Sequence, residues 1–191
     1  ILQLSWTPDT QDHPVAPRRG LNAVTTARSC FDAPAPDVPT DRSTSGVTQA
    51  QADLSWFWSL DRAARNRLFV GGGAGTSFGD HPLPTDQVVL GGPVRLSALD
   101  IGEQRGDNFM LVSGGYLRQV ARLPDFLGGP VLAGGWLENG SAFDDWDSRD
   151  FETNITGGLI ADTLIGPLFV AVSSGFHGPS RFYIGIGQIF R

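Results

Sequence analysis

Between residues 47 and 60, Val47, Gln49, Gln51, Asp53, Ser55 and Phe57 alternate with Thr48, Ala50, Ala52, Leu54, Trp56, Trp58 and Leu60. A period of two marks a strand whose two faces meet different surroundings. The run covers 14 residues, more than twice the usual strand of about 5 to 6. One face carries Gln, Gln, Asp and Ser, and the other ends in two Trp, an arrangement that suits a bilayer. The same alternation returns over residues 168–176, where Leu168, Val170, Val172 and Phe176 oppose Ala171, Ser173 and Gly175. It appears again near the C-terminus, where Phe182, Ile184, Ile186 and Phe190 oppose Tyr183, Gly185 and Gly187.

Runs bounded by Gly, Pro, Asp and Asn predict nine strands, near residues 1–6, 20–31, 45–60, 65–77, 107–122, 129–141, 153–164, 167–176 and 181–190. No segment of useful length carries the helical period; residues 59–68, rich in Arg, read as a turn between two strands. The connections alternate. Those near 32–44, 78–106 and 142–152 are long, whereas 61–64, 123–128 and 165–166 are short. Such alternation is the mark of an up-and-down membrane barrel with long outer loops and short periplasmic turns. Two connections break the rule: residues 7–19 are long where a short turn is due, and 177–180 are short for an outer loop.

Composition narrows the picture. Gly makes up 25 of 191 residues and charged residues 18%, where proteins average about 7% Gly and about 25% charge. All 14 basic residues are Arg, and the net charge is -6, so nucleic acid is excluded as a natural partner. Cys30 is the only cysteine and His13, His81 and His177 are dispersed, so no zinc-type ligand set exists and no cofactor is expected. No stretch approaches 18 apolar residues, which excludes a transmembrane helix. A membrane barrel survives this test, because its strands need only about 9 to 11 alternating residues. The chain opens Ile1-Leu2-Gln3-Leu4-Ser5-Trp6 with no Met and no signal peptide, which predicts that it begins inside a longer polypeptide.

Several motifs follow one another in a recognisable order. Asp9 and Pro17-Arg18-Arg19-Gly20 open a strand, and Leu90-Gly91-Gly92-Pro93-Val94-Arg95 lies in the longest loop. Trp136-Leu137-Glu138-Asn139-Gly140 places an acid before Gly, Ile165-Gly166-Pro167-Leu168 forms a turn, and residues 182–190 end on Phe190. In this order the chain resembles the C-terminal half of an Omp85-superfamily (surface antigen D15-like) barrel. The barrel of bacterial patatin-like phospholipases of the type Vd secretion class is the most similar branch. The resemblance covers nearly the whole chain. It departs at the inner-loop motif, where Leu96 and Ser97 follow Arg95 in place of Gly and an aromatic, and at Arg191, which follows the terminal aromatic.

The resemblance implies an all-β fold, an antiparallel up-and-down transmembrane β-barrel of the bacterial outer membrane. Residues 1–191 would be its C-terminal part, about nine of some sixteen strands. It further implies that the loop bearing Gly91, Gly92, Val94 and Arg95 folds into the pore, with Arg95 pairing with Glu138. The planar Arg fork suits a carboxylate in a partly dry lumen. Phe182, Ile184, Gly187 and Phe190 would form the C-terminal signal through which the barrel assembly machinery inserts the chain. Outer-membrane lipid is the other expected partner, and a homodimer stays open. The function implied is anchoring, and helping to export, a patatin-like lipase domain absent from this chain, which itself is not an enzyme. Two alternatives are an Omp85-type translocation or assembly barrel and a soluble all-β binding protein.

Other candidate chemistry is weaker. Gly75-Thr76-Ser77-Phe78-Gly79 matches the nucleophile-elbow spacing, with Asp80 and His81 next. An elbow needs a helix after its Ser, and Pro82 and Pro84 stand where that helix would run. Residues 75–79 therefore read as a strand end entering a loop. Asp144, Asp145, Asp147 and Asp150 surround Trp146 without the Gly and terminal Glu of a calcium loop, so a solvated outer loop is expected. Trp56, Trp58, Trp136 and Tyr183 are candidates for an aromatic girdle.

Overall fold

A computed structural model describes residues 2–15, 17–29, 48–78, 87–176 and 178–187. The strands are β1 (Leu2–Trp6), β2 (Gly20–Ser29), β3 (Thr48–Ser59), β4 (Asn66–Phe78), β5 (Val88–Leu90), β6 (Gln104–Gly106), β7 (Asn108–Arg122), β8 (Gly128–Phe143), β9 (Glu152–Thr163), β10 (Gly166–Gly175) and β11 (Ser180–Ile186). Nine form one antiparallel sheet in the order β1-β2-β3-β4-β7-β8-β9-β10-β11, which is not closed, while β5 and β6 make a separate hairpin. All nine predicted strands are present. Short β5 and β6, three residues each, are too brief to show a period and lie inside what the sequence presents as one long loop. The linker near 32–44 lies outside the described residues.

Register ties side chains to faces. Gln51, Asp53, Ser55 and Phe57 pair with Gly75, Gly73, Gly71 and Phe69, which pair onward with Phe109, Leu111, Ser113 and Gly115. That row is one face. On the other, Leu54 pairs with Gly72 and Trp56 with Val70, continuing to Val112 and Gly114. The first face is buried and the second exposed: Phe57 and Phe109 are 0% and 1% accessible, whereas Leu54 and Val112 are 45% and 54% accessible.

The sheet is strongly curved around the buried face. Gln11, in the β1–β2 connection, donates to Ser55 Oγ of β3 (3.2 Å), while His13, two residues on, lies 3.6 Å from Asp162 of β9. In a flat sheet β3 and β9 would stand roughly 19 Å apart, yet two residues advance the chain by at most about 7 Å. Curling the sheet closes that distance. Its concave side holds one apolar cluster reaching from Phe57 and Phe69 through Leu117, Leu132 and Trp136 to Ile160 and Ala171. This cluster fills the end that carries the short turns. The polar concave residues, Gln49, Gln51, Asp53, Ser113, Glu138 and Asn154, lie nearer the loop end. The alternation thus predicts the faces correctly but understates how apolar half of the inner face is.

Glycine lets this interior pack. A side chain at Gly115 would strike the Trp136 Cβ and the Phe69 ring, which meet edge to face with centroids 6.4 Å apart. On the convex side Gly157 has nothing nearer than 3.8 Å to an added Cβ. Overpacking a filled core costs about 1 to 3 kcal/mol, so Gly115→Val is expected to lower stability by that amount in urea unfolding. Gly157→Ala is expected to stay within about 0.5 kcal/mol.

Candidate functional site, a loop docked on the concave face

The chain between β4 and β7 turns inward. Described from residue 87, it runs through the β5–β6 hairpin, whose ends enclose a compact series of turns at residues 91–103. Gly91 N–H donates to Arg95 O (2.8 Å), Arg95 N–H to Gly92 O (3.1 Å), Leu99 N–H to Leu96 O (3.0 Å) and Glu103 N–H to Asp100 O (3.0 Å). The Gly-Gly pair has a physical reason: Gly91 and Gly92 sit at φ 121° and 106°, and a side chain at Gly91 would run into the Asp100 carbonyl. Val94 and Leu96 also adopt positive φ, 63° and 67°, a conformation β-branched Val rarely accepts. The loop's docking contacts hold them there.

Those contacts come from both halves of the sheet. Leu90, Leu96 and Leu99 pack with Phe109 of β7, and Val94 packs on the Trp136 cluster. Glu138 of β8, 1% accessible, accepts the Ser97 N–H through Oε2 at 2.8 Å. In the amide orientation that its neighbours require, Asn154 Oδ1 of β9 accepts from Ala98 N–H (3.0 Å) and Ser97 N–H (3.2 Å). From β11, Arg181 donates to Ala98 O (3.3 Å) and to Asp100 Oδ2 (2.6 Å), and Tyr183 Oη donates to Leu99 O (3.1 Å). Gln104 Oε1 accepts the Ala142 N–H (3.0 Å). Side chains of three strands therefore bind the backbone of residues 97–99, which would otherwise be buried without partners.

Arg95 faces the sheet, but its partner is not Glu138. Its Nη1 lies 3.5 Å from Asp53 Oδ1 of β3, and its guanidinium stacks over the Phe109 ring at 5.1 Å. The expected Arg95–Glu138 pair is absent, because the positive φ values on either side of Arg95 send residues 95 and 97 to opposite walls. Physics favours the exchange. A buried carboxylate oxygen meets a backbone N–H at less desolvation cost than a guanidinium stripped of all water, although the second Glu138 oxygen, Oε1, is buried with no hydrogen-bond partner among the described residues. Arg95, 40% accessible at its side chain, keeps part of its hydration.

The remaining candidates separate. Phe182 and Ile184 point from the convex side of β11, 65% and 69% accessible, and Gly187 follows the strand, its N–H donating to Pro167 O at 2.8 Å. Phe190 lies outside the described residues. Ser77 sits within β4, with Gln49 donating to its Oγ (3.3 Å); Asp80, His81 and His177 lie outside the described residues. Asp144 caps the loop end, its Oδ1 accepting the Asp107 N–H (3.1 Å), and Arg149 stacks over Trp146 (4.8 Å). Among the described residues no group of three His, Cys, Asp or Glu could hold a metal ion. Of the girdle candidates, Trp56 is 54% accessible on the convex face, whereas Trp136 is 4% accessible inside and Tyr183 turns in to the loop. Asp53, Ser97, Asn154 and Arg181 escaped sequence reading. The signal available for Asp53 was its being the one charge in a face of Gln and Ser.

A double-mutant cycle separates the two pairings. Coupling between Arg95→Ala and Asp53→Ala is expected at up to about 1 kcal/mol, the range of a partly exposed pair. Arg95→Ala and Glu138→Ala should be additive within about 0.5 kcal/mol. Glu138→Ala alone is expected to cost about 1 to 3 kcal/mol, since it removes the nearer of the two acceptors of the buried Ser97 N–H and leaves the longer contact to Asn154 Oδ1, and to speed amide exchange at Ser97. No family model and no curated protein matches this chain.

Proposed function

We propose that the chain is part of the wall of an outer-membrane β-barrel that serves as an anchor, the concave side being the lumen. The observation that carries this reading is the convex face. Leu54, Trp56, Val112, Leu137, Ile155, Leu159, Val172 and Ile184, on β3 and β7 to β11, are each 45% or more accessible, and Val70 on the intervening β4 is 41% accessible, while Asp53, Glu138 and Asn154 face inward. Soluble proteins rarely expose a continuous apolar surface beyond a few hundred Å². Polar inside and apolar outside is the sidedness of a wall facing lipid.

Two further observations favour an anchor over an open conduit. The docked loop fills the concave side from the loop end, and Gln11 and His13 reach across it from the turn end, to Ser55 and towards Asp162. The anchored cargo is a patatin-like lipase domain elsewhere in the polypeptide, the one the family resemblance implies. The β11 strand, with Phe182 and Ile184 turned outward, is the surface the assembly machinery engages. Closure also has a parity. With nine alternating strands, β1 and β11 run in the same direction, so direct pairing would be parallel. An all-antiparallel barrel needs an odd number of additional strands, consistent with a total of about sixteen.

Leu54→Arg is expected to block insertion, placing a charge in lipid at about 2 to 4 kcal/mol, whereas Gln51→Arg on the inner face is tolerated. Fractionation into outer membranes or liposomes reads both; equal behaviour would overturn the lipid assignment. The 191 residues alone should not give a monodisperse, heat-modifiable monomer in detergent. Their two edge strands leave backbone groups unpaired, at several kcal/mol each in lipid.

A further inference from the structure

The inner loop leans to one side of the curved sheet. Its hydrogen bonds and leucines go to β7, β8, β9 and β11, and towards β3 it sends Arg95 to Asp53. A cleft of about 330 Å³ is left between the β5–β6 hairpin, with the turns it encloses, and the wall formed by β2 and β3. Register builds the wall side. Arg28 of β2 pairs with Gln49 of β3, and Gln49, Gln51 and Asp53 follow one another along the inward row. Gln51 stands across from Gly75, whose missing side chain admits the Phe109 ring. From the loop side come Arg95, Val89 and Ile101.

The chemistry of this cleft differs from that of the chain as a whole. The net charge is -6, yet the described residues lining the cleft include Arg28 and Arg95 and no acid. Asp53, beside Arg95, offsets part of this charge, while Arg105 adds to it at the rim, donating to the carbonyl of the lining residue Gly102 (3.3 Å). Asp107 and Asp144, which accept from Gln87 (3.4 Å each), stay outside the lining. Arg95 gives Asp53 a contact of 3.5 Å, and its Nε is covered with no hydrogen-bond partner, so much of the donor capacity of the guanidinium is unspent. Arg28 has a contact of its own in the protein; what it brings to the cleft is charge, which acts at a distance between low-dielectric walls. The Gln51 amide makes no hydrogen bond among the described residues. A carboxamide sets a donor beside an acceptor, the complement of a hydroxyl group.

We propose that this cleft binds a soluble phosphorylated polyol the size of one sugar ring, its phosphate on Arg95 in the field of Arg28 and a ring hydroxyl on Gln51. Guanidinium groups match phosphate oxygens with parallel N–H donors, and a phosphate monoester brings close to two negative charges where a carboxylate brings one. The volume lies at the low end of ligand sites, roughly 300 to 1,000 Å³, which selects one small molecule over a polymer. A nucleotide is disfavoured, since the Phe109 ring that could stack a base already carries the Arg95 guanidinium at 5.1 Å. A lipid headgroup is disfavoured too, because the sheet itself stands between the cleft and the apolar convex face. The site rests on the concave wall and the docked loop, and does not depend on the membrane reading.

The test titrates the full polypeptide carrying these residues, in detergent and phosphate-free buffer, with myo-inositol monophosphate, myo-inositol and inorganic phosphate. Calorimetry reads all three, and broadening of the phosphorus NMR line reads the two phosphates. The monophosphate is expected to bind at least about tenfold more tightly than either part alone. Arg95→Gln should weaken it about tenfold or more, the usual loss on removing a charged hydrogen-bond donor. Gln51→Ala should bring its affinity down to about that of inorganic phosphate. Arg122→Gln, remote from the cleft and beside Asp125, should change nothing. No binding of the monophosphate, equal binding of inorganic phosphate, or indifference to both inner substitutions would each overturn the site. Equal weakening by Arg122→Gln would show general attraction between charges and overturn it as well. Arg95 also helps to dock the loop, so should Arg95→Gln lose its β-sheet circular dichroism, Gln51→Ala, which gives up no internal hydrogen bond, decides the question.

Discussion

A slip of one residue anywhere in the β3–β4–β7–β8–β9 ladder would turn Glu138, Asn154 and Asp53 outward and Leu54, Leu137 and Ile155 inward, since side chains alternate with a period of two. Every feature of the molecule hangs on that register. It places the acceptors for the docked loop on one side, the apolar surface on the other, and the glycines where rings need room. The pairing of Asp53 with Gly73 and of Gly73 with Leu111 shows the principle at the scale of three residues. A carboxylate stands above a glycine, and Arg95 comes down to it from the loop.

The inner face is a compromise between filling and polarity. At the turn end it resembles the core of a soluble protein, with Phe57 and Phe69 stacked at 5.4 Å and Trp136 against them. At the loop end the polar side chains would be costly if left dry and unpartnered. The loop meets that requirement with its own backbone: residues 97–99 present N–H and C=O groups to Glu138, Asn154, Arg181 and Tyr183. Positive φ at Val94 and Leu96 is local strain offset by these bonds. The loop and the wall are therefore mutually dependent, each supplying partners for polar groups the other buries, with Glu138 Oε1 and Arg95 Nε left over.

Two insertions thus meet the concave face from opposite ends. The loop is bound through three strands and a leucine cluster, and behaves as part of the core. The β1–β2 connection meets the sheet from the turn end, where Arg67 donates to Pro17 O (3.3 Å) and Gln11 to Ser55 Oγ (3.2 Å). Both placements depend on the curved sheet, where Gln11 and His13 reach β3 and β9.

Period-two alternation with turn residues determined the nine strands, their antiparallel order and the division into a polar and an apolar face, because those follow from local geometry and burial alone. The length of the loop bearing Gly91-Gly92 was equally legible, whereas its inward fold was expected from the family resemblance and not from the residues alone. The partners of that loop were not. Arg95 to Asp53 and Glu138 to Ser97 depend on which wall each side chain meets after two unusual backbone turns, and Asn154 and Arg181 lie 59 and 86 positions from Arg95 in the sequence. The apolar half of the interior, and the reach of His13 to Asp162, likewise needed the curvature of the sheet. Sidedness is a local property of a strand, whereas contact across a concave surface is decided only when all the strands have bent together.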